Sequence, residues 1–401
     1  MPKFLGNKVG FAVSTYSDGG IFNTSQQFYL KNKEKWPPFV EASSESTTGD
    51  DPPILEPGNG YKYHVFKSPG TFTVTTGGKI YYTVIGGGGG GASGDTHYST
   101  RGGGGGGAGA YKAGILHAEA NTYPVDVGAG GVGGSRDPKT SEEWIWAANG
   151  EDSKISNPTT SIVIAIGGGY GGVPPYRPPN INPEGRAANP GGCGGGGRGA
   201  PTSSYSEVNY NTGGTASLSS SPTEILRGYP GGDGVNGSGG GGGGIGGAGD
   251  DGYYNEGTQT LSETFPRYNE YFGSGNGGIG RAFGVINEDY DSLPSDYGSP
   301  GNSNVRRFFG GGGGGGARRA PQPTSFPINP NGGIGIHGGG DGGNGVEGPT
   351  QGDPGDHGIA NTGGGGGAGS GGYTPNLSET ADNYGGNGGS GIVIISYSTG
   401  S

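Results

Sequence analysis

KIYYTVI-GGGGGG-ASGDTHYSTR-GGGGGGAGA-Y, residues 79–111, is the stretch on which the fold turns. A β-branched and aromatic segment feeds a glycine run, a polar tip follows, and a second glycine run returns. Such runs form neither helices nor ordinary strands, because glycine loses the most backbone entropy and brings no side chain to pack. The ordered conformation left to them is polyproline II, which has no internal hydrogen bonds. Each buried N–H and C=O must therefore pair with a neighbouring run. Only a residue without Cβ lets backbones close in on several sides, as at the collagen axis. Looser copies of the unit continue to the C-terminus, so the sequence predicts a bundle of polyglycine II helices. A run of eight residues spans roughly 25 Å at about 3.1 Å per residue.

Outside the runs the pattern is β. YKYHVFKS, TFTVTT and KIYYTVI alternate from Tyr61 onward, broken by Pro69-Gly70 and Gly77-Gly78. AGILHAEA, TYPVDVGAG, SIVIAIGGG and the terminal GIVIISYS continue it. The fold class expected is mainly β and irregular: a small antiparallel sheet or sandwich carrying the bundle and its long loops. The β base is assigned to 61–85, 113–127, 161–166 and 391–398. The domain division is 1–58, an N-terminal segment with an acidic proline-containing linker, and 59–401, the glycine-rich domain. Strict Gly-X-Y is absent, which excludes a collagen triple helix.

Gly 104 and Pro 29 make up about a third of the 401 residues, and hydrophobic residues are 28%. By composition alone that reads as low-complexity chain. An ordered form needs backbone hydrogen bonding as its main organising force. A net charge of −11 without a basic stripe argues against nucleic acid. No apolar stretch approaches the ~20 residues that span a bilayer, so membrane insertion is not expected. The first residues lack the apolar core of a signal peptide, which implies synthesis and folding in cytoplasm. Cys193 is the single cysteine and lies within a glycine run, where it reads as a small residue tolerated between backbones.

No motif specifies chemistry. Gly86-x-Gly88-x-x-Gly91 follows a strand but opens no helix, so a pyrophosphate would find no helix N-terminus there. Asn287 to Asp291 begins like a calcium loop, then lacks the sixth-position glycine and the closing carboxylate. Asp250-Asp251, Asp353 and Asp356 read as solvated acidic loops. His64, His97, His117, His337 and His357 have no metal-ligand spacing. The expectation is no enzyme, no catalytic residue, no metal and no cofactor.

Two regions read as contact surfaces. In the N-terminal segment Phe22, Phe28, Tyr29, Leu30 and Trp36 are too few for a core and are assigned to docking, against the alternative of packing on their own chain. The loops between runs hold most of the 23 tyrosines, a composition close to that of antibody paratopes. The rings could equally cover exposed ends of the bundle. Alternation of successive runs places 92–101, 135–150, 173–190, 250–272, 318–331 and 370–384 at a distal tip. It places 110–127, 200–227, 284–309 and 346–362 at the base, provided that Gly228–Gly249 crosses once. The tip would then gather Tyr98, Trp144, Trp146, Tyr176, Tyr253, Tyr254, Tyr268, Tyr271, Tyr373 and Tyr384.

SPGTFTVTTGGKIYYTVIGGGGGG (68–91) and GGNGGSGIVIISY (385–397) resemble the opening and closing signatures of the glycine-rich domain of phage tail proteins. The bundle is similar to that of the distal tail-fibre adhesins of T-even-like phages, in which polyglycine II helices present variable receptor-binding loops. GIFNTSQQFYLKNKEKWP (20–37) resembles a segment at the start of marine phage virion proteins. The glycine-rich extracellular domain of animal receptor kinases is a weaker match, since a signal peptide and cysteines are lacking. The resemblance implies a virion surface protein, a tail-fibre or tail-tip adhesin attached through 1–58 to other virion proteins. Its tip loops would bind a host cell-surface receptor, protein or glycan. A capsid or tail decoration protein without receptor binding is the second expectation, and homo-oligomerisation stays open.

Overall fold

The computed structural model describes residues 40–46, 53–57, 60–95, 101–136, 144–174, 186–199, 211–217, 225–235, 237–254, 272–283, 297–300, 307–318, 331–345, 352–372 and 383–399. All regular structure among them is strand. In chain order these are β1 (Glu41–Ser46), β2 (Ile54–Leu55), β3 (Tyr61–Phe66), β4 (Gly70–Thr76), β5 (Gly78–Ile85) and β6 (Tyr111–Ala118). Next come β7 (Asn121–Asp126), β8 (Ser135–Arg136), β9 (Trp144–Ile145), β10 (Ser153–Ser156), β11 (Ser161–Ala165) and β12 (Ile225–Arg227). The last are β13 (Tyr253–Tyr254), β14 (Phe272–Gly273), β15 (Arg281–Ala282), β16 (Ser299–Pro300), β17 (Arg307–Phe309) and β18 (Ile392–Ser398).

Period-two alternation in the sequence becomes a sandwich. A five-stranded sheet, β1-β4-β7-β10-β11, faces a six-stranded one, β12-β6-β5-β18-β3-β2, and all neighbours are antiparallel. Phe72 and Val74 of β4 point into the core with Ile80, Val84, Val125, Ile155, Val163, Val393 and Ile395, while Thr71 and Thr73 point out. The strand that ends the domain, β18, inserts between β5 and β3 and so ties the two ends of the domain together. The reverse face of the six-stranded sheet is covered by β15-β17-β16, through Phe283, Tyr297 and Phe309 against Tyr63, Ile85, Ile392 and Ile394. Cys193 is buried in that second core, and desolvation pushes its thiol up to about 12, so it is a packing residue.

The base is larger than 61–85, 113–127, 161–166 and 391–398, because β10, β12 and β15 to β17 join it. Part of the presumed linker also folds into it: β1 pairs along β4, and β2 along β3. The seam that holds β1 is polar, which hides it from a hydrophobic-pattern reading. Buried His64 meets the Ser44 hydroxyl at Nδ1 (2.9 Å) and the Tyr397 hydroxyl at Nε2 (3.2 Å). Burial pushes its pKa down to about 4, with Lys62 adding to the shift, so the ring is neutral near pH 7.

Above the sandwich the glycine runs form a lattice. Residues 102, 105 and 108 donate to the carbonyls of 237, 240 and 243; residues 103, 106 and 109 to those of 369, 366 and 363; residues 104, 107 and 110 to those of 172, 169 and 166. Three directions repeated every third residue are the threefold geometry of polyglycine II. The carbonyls of 102–110 accept in turn from 86–92, 193–199 and 313–316. Run 102–110 is thus walled by six others: 86–95, 166–174, 192–199, 237–244, 310–317 and 363–372. Among the described glycines φ is positive only at Gly60, Gly237, Gly298, Gly310, Gly338 and Gly363, which lie at run ends and turns. Inside the runs glycine is needed for close approach and not for an unusual φ: a Cβ on Gly105 would run into the Gly313 carbonyl.

Outer runs lack neighbours on one side, and side chains supply the missing acceptors. Gly133 N–H donates to Asn387 Oδ1 (2.7 Å), Tyr170 N–H to Asn149 Oδ1 (3.0 Å) and Gly167 N–H to Asp152 Oδ1 (3.0 Å). Gly213 N–H donates to Asp233 Oδ1 (2.8 Å) and Ile334 N–H to Asn276 Oδ1 (3.0 Å). Each such bond contributes on the order of 1 kcal/mol. Asp251 does the same for the Asp233 N–H at 2.7 Å, and Asp250 accepts from Asn276 Nδ2 at 3.1 Å. These two aspartates are therefore built into the lattice edge and are not merely solvated. Desolvation raises the Asp250 carboxyl above its usual range.

Successive runs alternate in direction, and three of the expected crossings differ. Gly228–Gly249 makes more than one pass: 229–235 rises, 238–244 descends, and the chain reverses again at Gly244–Gly247. Residues 186–189 descend beside 170–173 before 192–199 rises, and 211–217 descends beside 191–195. Consequently Gly199 and Asn211, which flank 200–210, stand at the end away from the sheets, and 200–227 is not wholly basal. Gly332–Gly345 likewise folds back at Ile336–Gly339, so Gly345 and Gly352 stand at that same far end and 346–362 is not wholly basal either. Gly228–Gly249 is too long for one unbroken pass, and its excess length is taken up by the reversals; length alone does not say where the chain turns.

Candidate functional site at the loop-bearing end of the bundle

Every run that leaves the sheets ends at the opposite side of the lattice. Asp95 and Arg101, Val173 and Arg186, Gly252 and Gly273, Ala317 and Asn331, and Gly372 and Asn383 are the flanks of inter-run segments at that end. The Asp95 N–H donates to the Arg101 carbonyl (2.8 Å), and the Gly372 N–H to the Asp95 carbonyl (2.9 Å), which brings the flanks together. Two short antiparallel stems rise there. β8 pairs with β9, Ser135 opposite Ile145 and Arg136 opposite Trp144; β13 pairs with β14, Tyr253 opposite Gly273 and Tyr254 opposite Phe272. The chain enters and leaves at the other pole: Glu41 pairs with Thr76, and Ser398 with Tyr61, at the strand ends farthest from the bundle.

Of the aromatic residues assigned to the tip, Trp144, Tyr253 and Tyr254 lie in these stems. The Arg186 guanidinium sits over the Trp146 ring, 4.3 Å from its centroid, and Arg186 exchanges two backbone hydrogen bonds with Val173 (2.9 and 3.0 Å). A cation so placed on an indole contributes roughly 0.5–1 kcal/mol at an exposed site. Tyr384 is 41% exposed, next to Asn383, which is buried and donates to the Ser370 carbonyl (3.2 Å). Ile145 and Val132 add apolar surface at 51% and 49% exposure. Tyr98, Tyr176, Tyr268, Tyr271 and Tyr373 lie outside the described residues, as do Phe22, Phe28, Tyr29, Leu30 and Trp36.

The Trp146–Arg186 contact was not legible, since forty residues separate the partners. Ile145 and Val132 were also missed, because a search for aromatic loops passes over aliphatic residues. Among the described residues no group of three or more His, Cys, Asp or Glu side chains could hold a metal ion. No helix among them is long and apolar enough to cross a membrane. The arrangement is a platform: a hydrogen-bonded lattice whose ascending runs, among the described residues, carry most of the inter-run segments to one surface, while 229–235 turns back tightly at Val235–Ser238. No curated protein matches the chain. The profile of a family described as a glycine-rich domain matches residues 67–336, more than half of the sequence, and the chain belongs to that family.

Proposed function

We propose that this is a phage virion surface protein, a tail-fibre or tail-tip adhesin synthesised in host cytoplasm and mounted through its N-terminal segment on other virion proteins. Its loop-bearing end contacts a host cell-surface receptor, protein or glycan, by adhesion and without catalysis. The observation that carries this reading is polarity. Residue 40, where the N-terminal segment joins the sandwich, lies at one pole, and the flanks of the long inter-run segments lie at the other. A mounted display protein needs that separation, because attachment and recognition must not compete for one surface. Tyr384, Ile145 and Val132, each exposed, support it, since exposed apolar surface marks binding sites.

Tyr268→Ala, Tyr271→Ala and Tyr384→Ala, combined, are expected to lower adsorption of intact particles to host cells by about tenfold or more, the loss of one or two aromatic anchors. Particle yield and the amount of the protein per particle should not change. Undiminished adsorption with normal incorporation would remove the receptor role and leave decoration of the particle as the function.

A further inference from the structure

Two parallel runs descend side by side from the flanks Gly273 and Asn331, and a side chain makes the last bond between them. The Ser274 N–H donates to the Asn331 carbonyl (3.4 Å) and the Gly277 N–H to the Ile334 carbonyl (2.9 Å). The third-residue rhythm of the lattice would next set the Gly280 N–H on the carbonyl of residue 337. The chain reverses there, and the 337 carbonyl accepts from the Gly311 N–H instead (3.1 Å). The Gly280 N–H donates to the His337 ring at Nδ1, 3.0 Å away. His337 has φ 53°, in the left-handed region where histidine and asparagine are enriched. Its ring stacks on Phe308, with centroids 4.0 Å apart and planes 11° from parallel. Elsewhere the lattice gives its outer N–H groups an Oδ1, as from Asn149, Asp152 and Asn387. Oδ1 and Nδ1 stand the same number of bonds from Cα, so the ring takes the place of an asparagine with one difference: it can bind a proton.

We infer that the His337–Gly280 contact is a proton-operated latch, closed at neutral pH and released on mild acidification, that ties run 331–337 to run 273–280. A backbone N–H can only donate, so the Nδ1 facing it carries a lone pair and the proton of the neutral ring sits on Nε2. An imidazolium has an N–H at both nitrogens, and flipping the ring only puts a C–H where the acceptor was. The charged groups on the described elements around the ring do not replace this control. Asp341, on the same run, accepts from the Gly335 N–H (2.7 Å). On β17, Arg307 points to the face opposite Phe308. On β15, Arg281 pairs with Phe309, shares that opposite face, and lies over the Tyr111 ring at 5.6 Å. Burial lowers the His337 pKa from its ordinary 6.5. A ring released into water regains the ordinary value and binds protons more readily than the latched one. The latch therefore holds in full above about pH 6.5 and weakens as pH falls from there toward the lowered value. The inference does not depend on receptor binding by the loops.

Amide exchange of the full chain, read at Gly280 by nuclear magnetic resonance at about pH 7.5 and about pH 5 and expressed as protection relative to a free peptide, tests it. On acidification, wild-type protection at Gly280 should fall by about tenfold more than that of His337→Asn. The asparagine suits the left-handed φ, and its Oδ1 accepts at either pH. His337→Gly takes that φ freely and has no acceptor. It should leave Gly280 poorly protected at both pH values, and it supplies the comparison if His337→Asn folds poorly. Wild-type protection that holds at the lower pH would overturn the inference. An equal fall in wild type and His337→Asn would overturn it too, because the acid effect would then belong to other groups, Asp341 and His64 among them.

Discussion

Gly105→Val is expected to yield no soluble folded protein. Gly105 sits in the run that is enclosed by six others; its N–H donates to Gly240 (3.1 Å) and its carbonyl accepts from Gly196 (2.7 Å). A Cβ there would collide with the Gly313 carbonyl group and come within 2.8 Å of the Gly314 oxygen. The obstructing atoms are backbone, so no rotamer change relieves the contact. Room for the side chain comes only from moving run 310–317, which would break its bonds to 102–110, 273–280 and 331–345 as well. The expected cost exceeds most of the ~5–15 kcal/mol that keeps a domain folded. Gly247→Ala is the control. A Cβ at that turn meets the Ile279 side chain at 3.2 Å, with the nearest backbone atom 4.0 Å away, so that variant should fold with a near-normal melting temperature. Solubility on expression and a thermal melt distinguish the two.

Deletion of residues 1–39 is expected to have the opposite profile: full folding and complete loss of assembly. The cut leaves Val40, which is buried in the sandwich core, and the whole of β1 with its Ser44–His64 contact. A deletion that reached through Ser46 would instead strip an edge strand and expose the β4 ladder, confusing unfolding with failure to assemble. The truncated chain should melt at the temperature of the intact one and be absent from purified particles by immunoblot. Incorporation at the normal level would show that attachment lies elsewhere, and Phe22, Phe28, Tyr29, Leu30 and Trp36 would lose their assignment to docking.

Much of the lattice was readable because glycine density reports the number of neighbours. Unbroken GGGGGG in 102–107 means a run enclosed on all sides. In 127–134 every third residue, Ala129 and Val132, faces solvent, so two glycine-lined sides pack inward. In 352–359 only Gly352, Gly355 and Gly358 turn inward while Pro354, Asp356, His357 and Ile359 are exposed, which explains the near Gly-X-Y spacing without a triple helix. The sandwich was readable from period-two alternation in β3, β4, β5 and β18. β1 was not, because its inward residues are alanine and serine and its partner is a buried histidine. The reversals at Gly244–Gly247 and Ile336–Gly339 were not either: glycine supports a turn and a run equally, so composition alone does not separate them. The Asn and Asp residues that cap outer runs do carry a signal. They interrupt the glycines at the lattice boundary, in NGED, GGDG and GGNG, where polar residues otherwise read as loop.

Amide hydrogen exchange across residues 102–110, resolved by mass spectrometry or nuclear magnetic resonance, tests the lattice most directly. Every N–H in that run is bonded to a carbonyl of another run, with no water-facing side among its central glycines. These amides should exchange only with global unfolding, as slowly as those of β5 and β18 and among the slowest in the molecule. Exchange at the rate of an unstructured glycine peptide, in a protein whose β5 and β18 amides stay protected, would contradict the lattice.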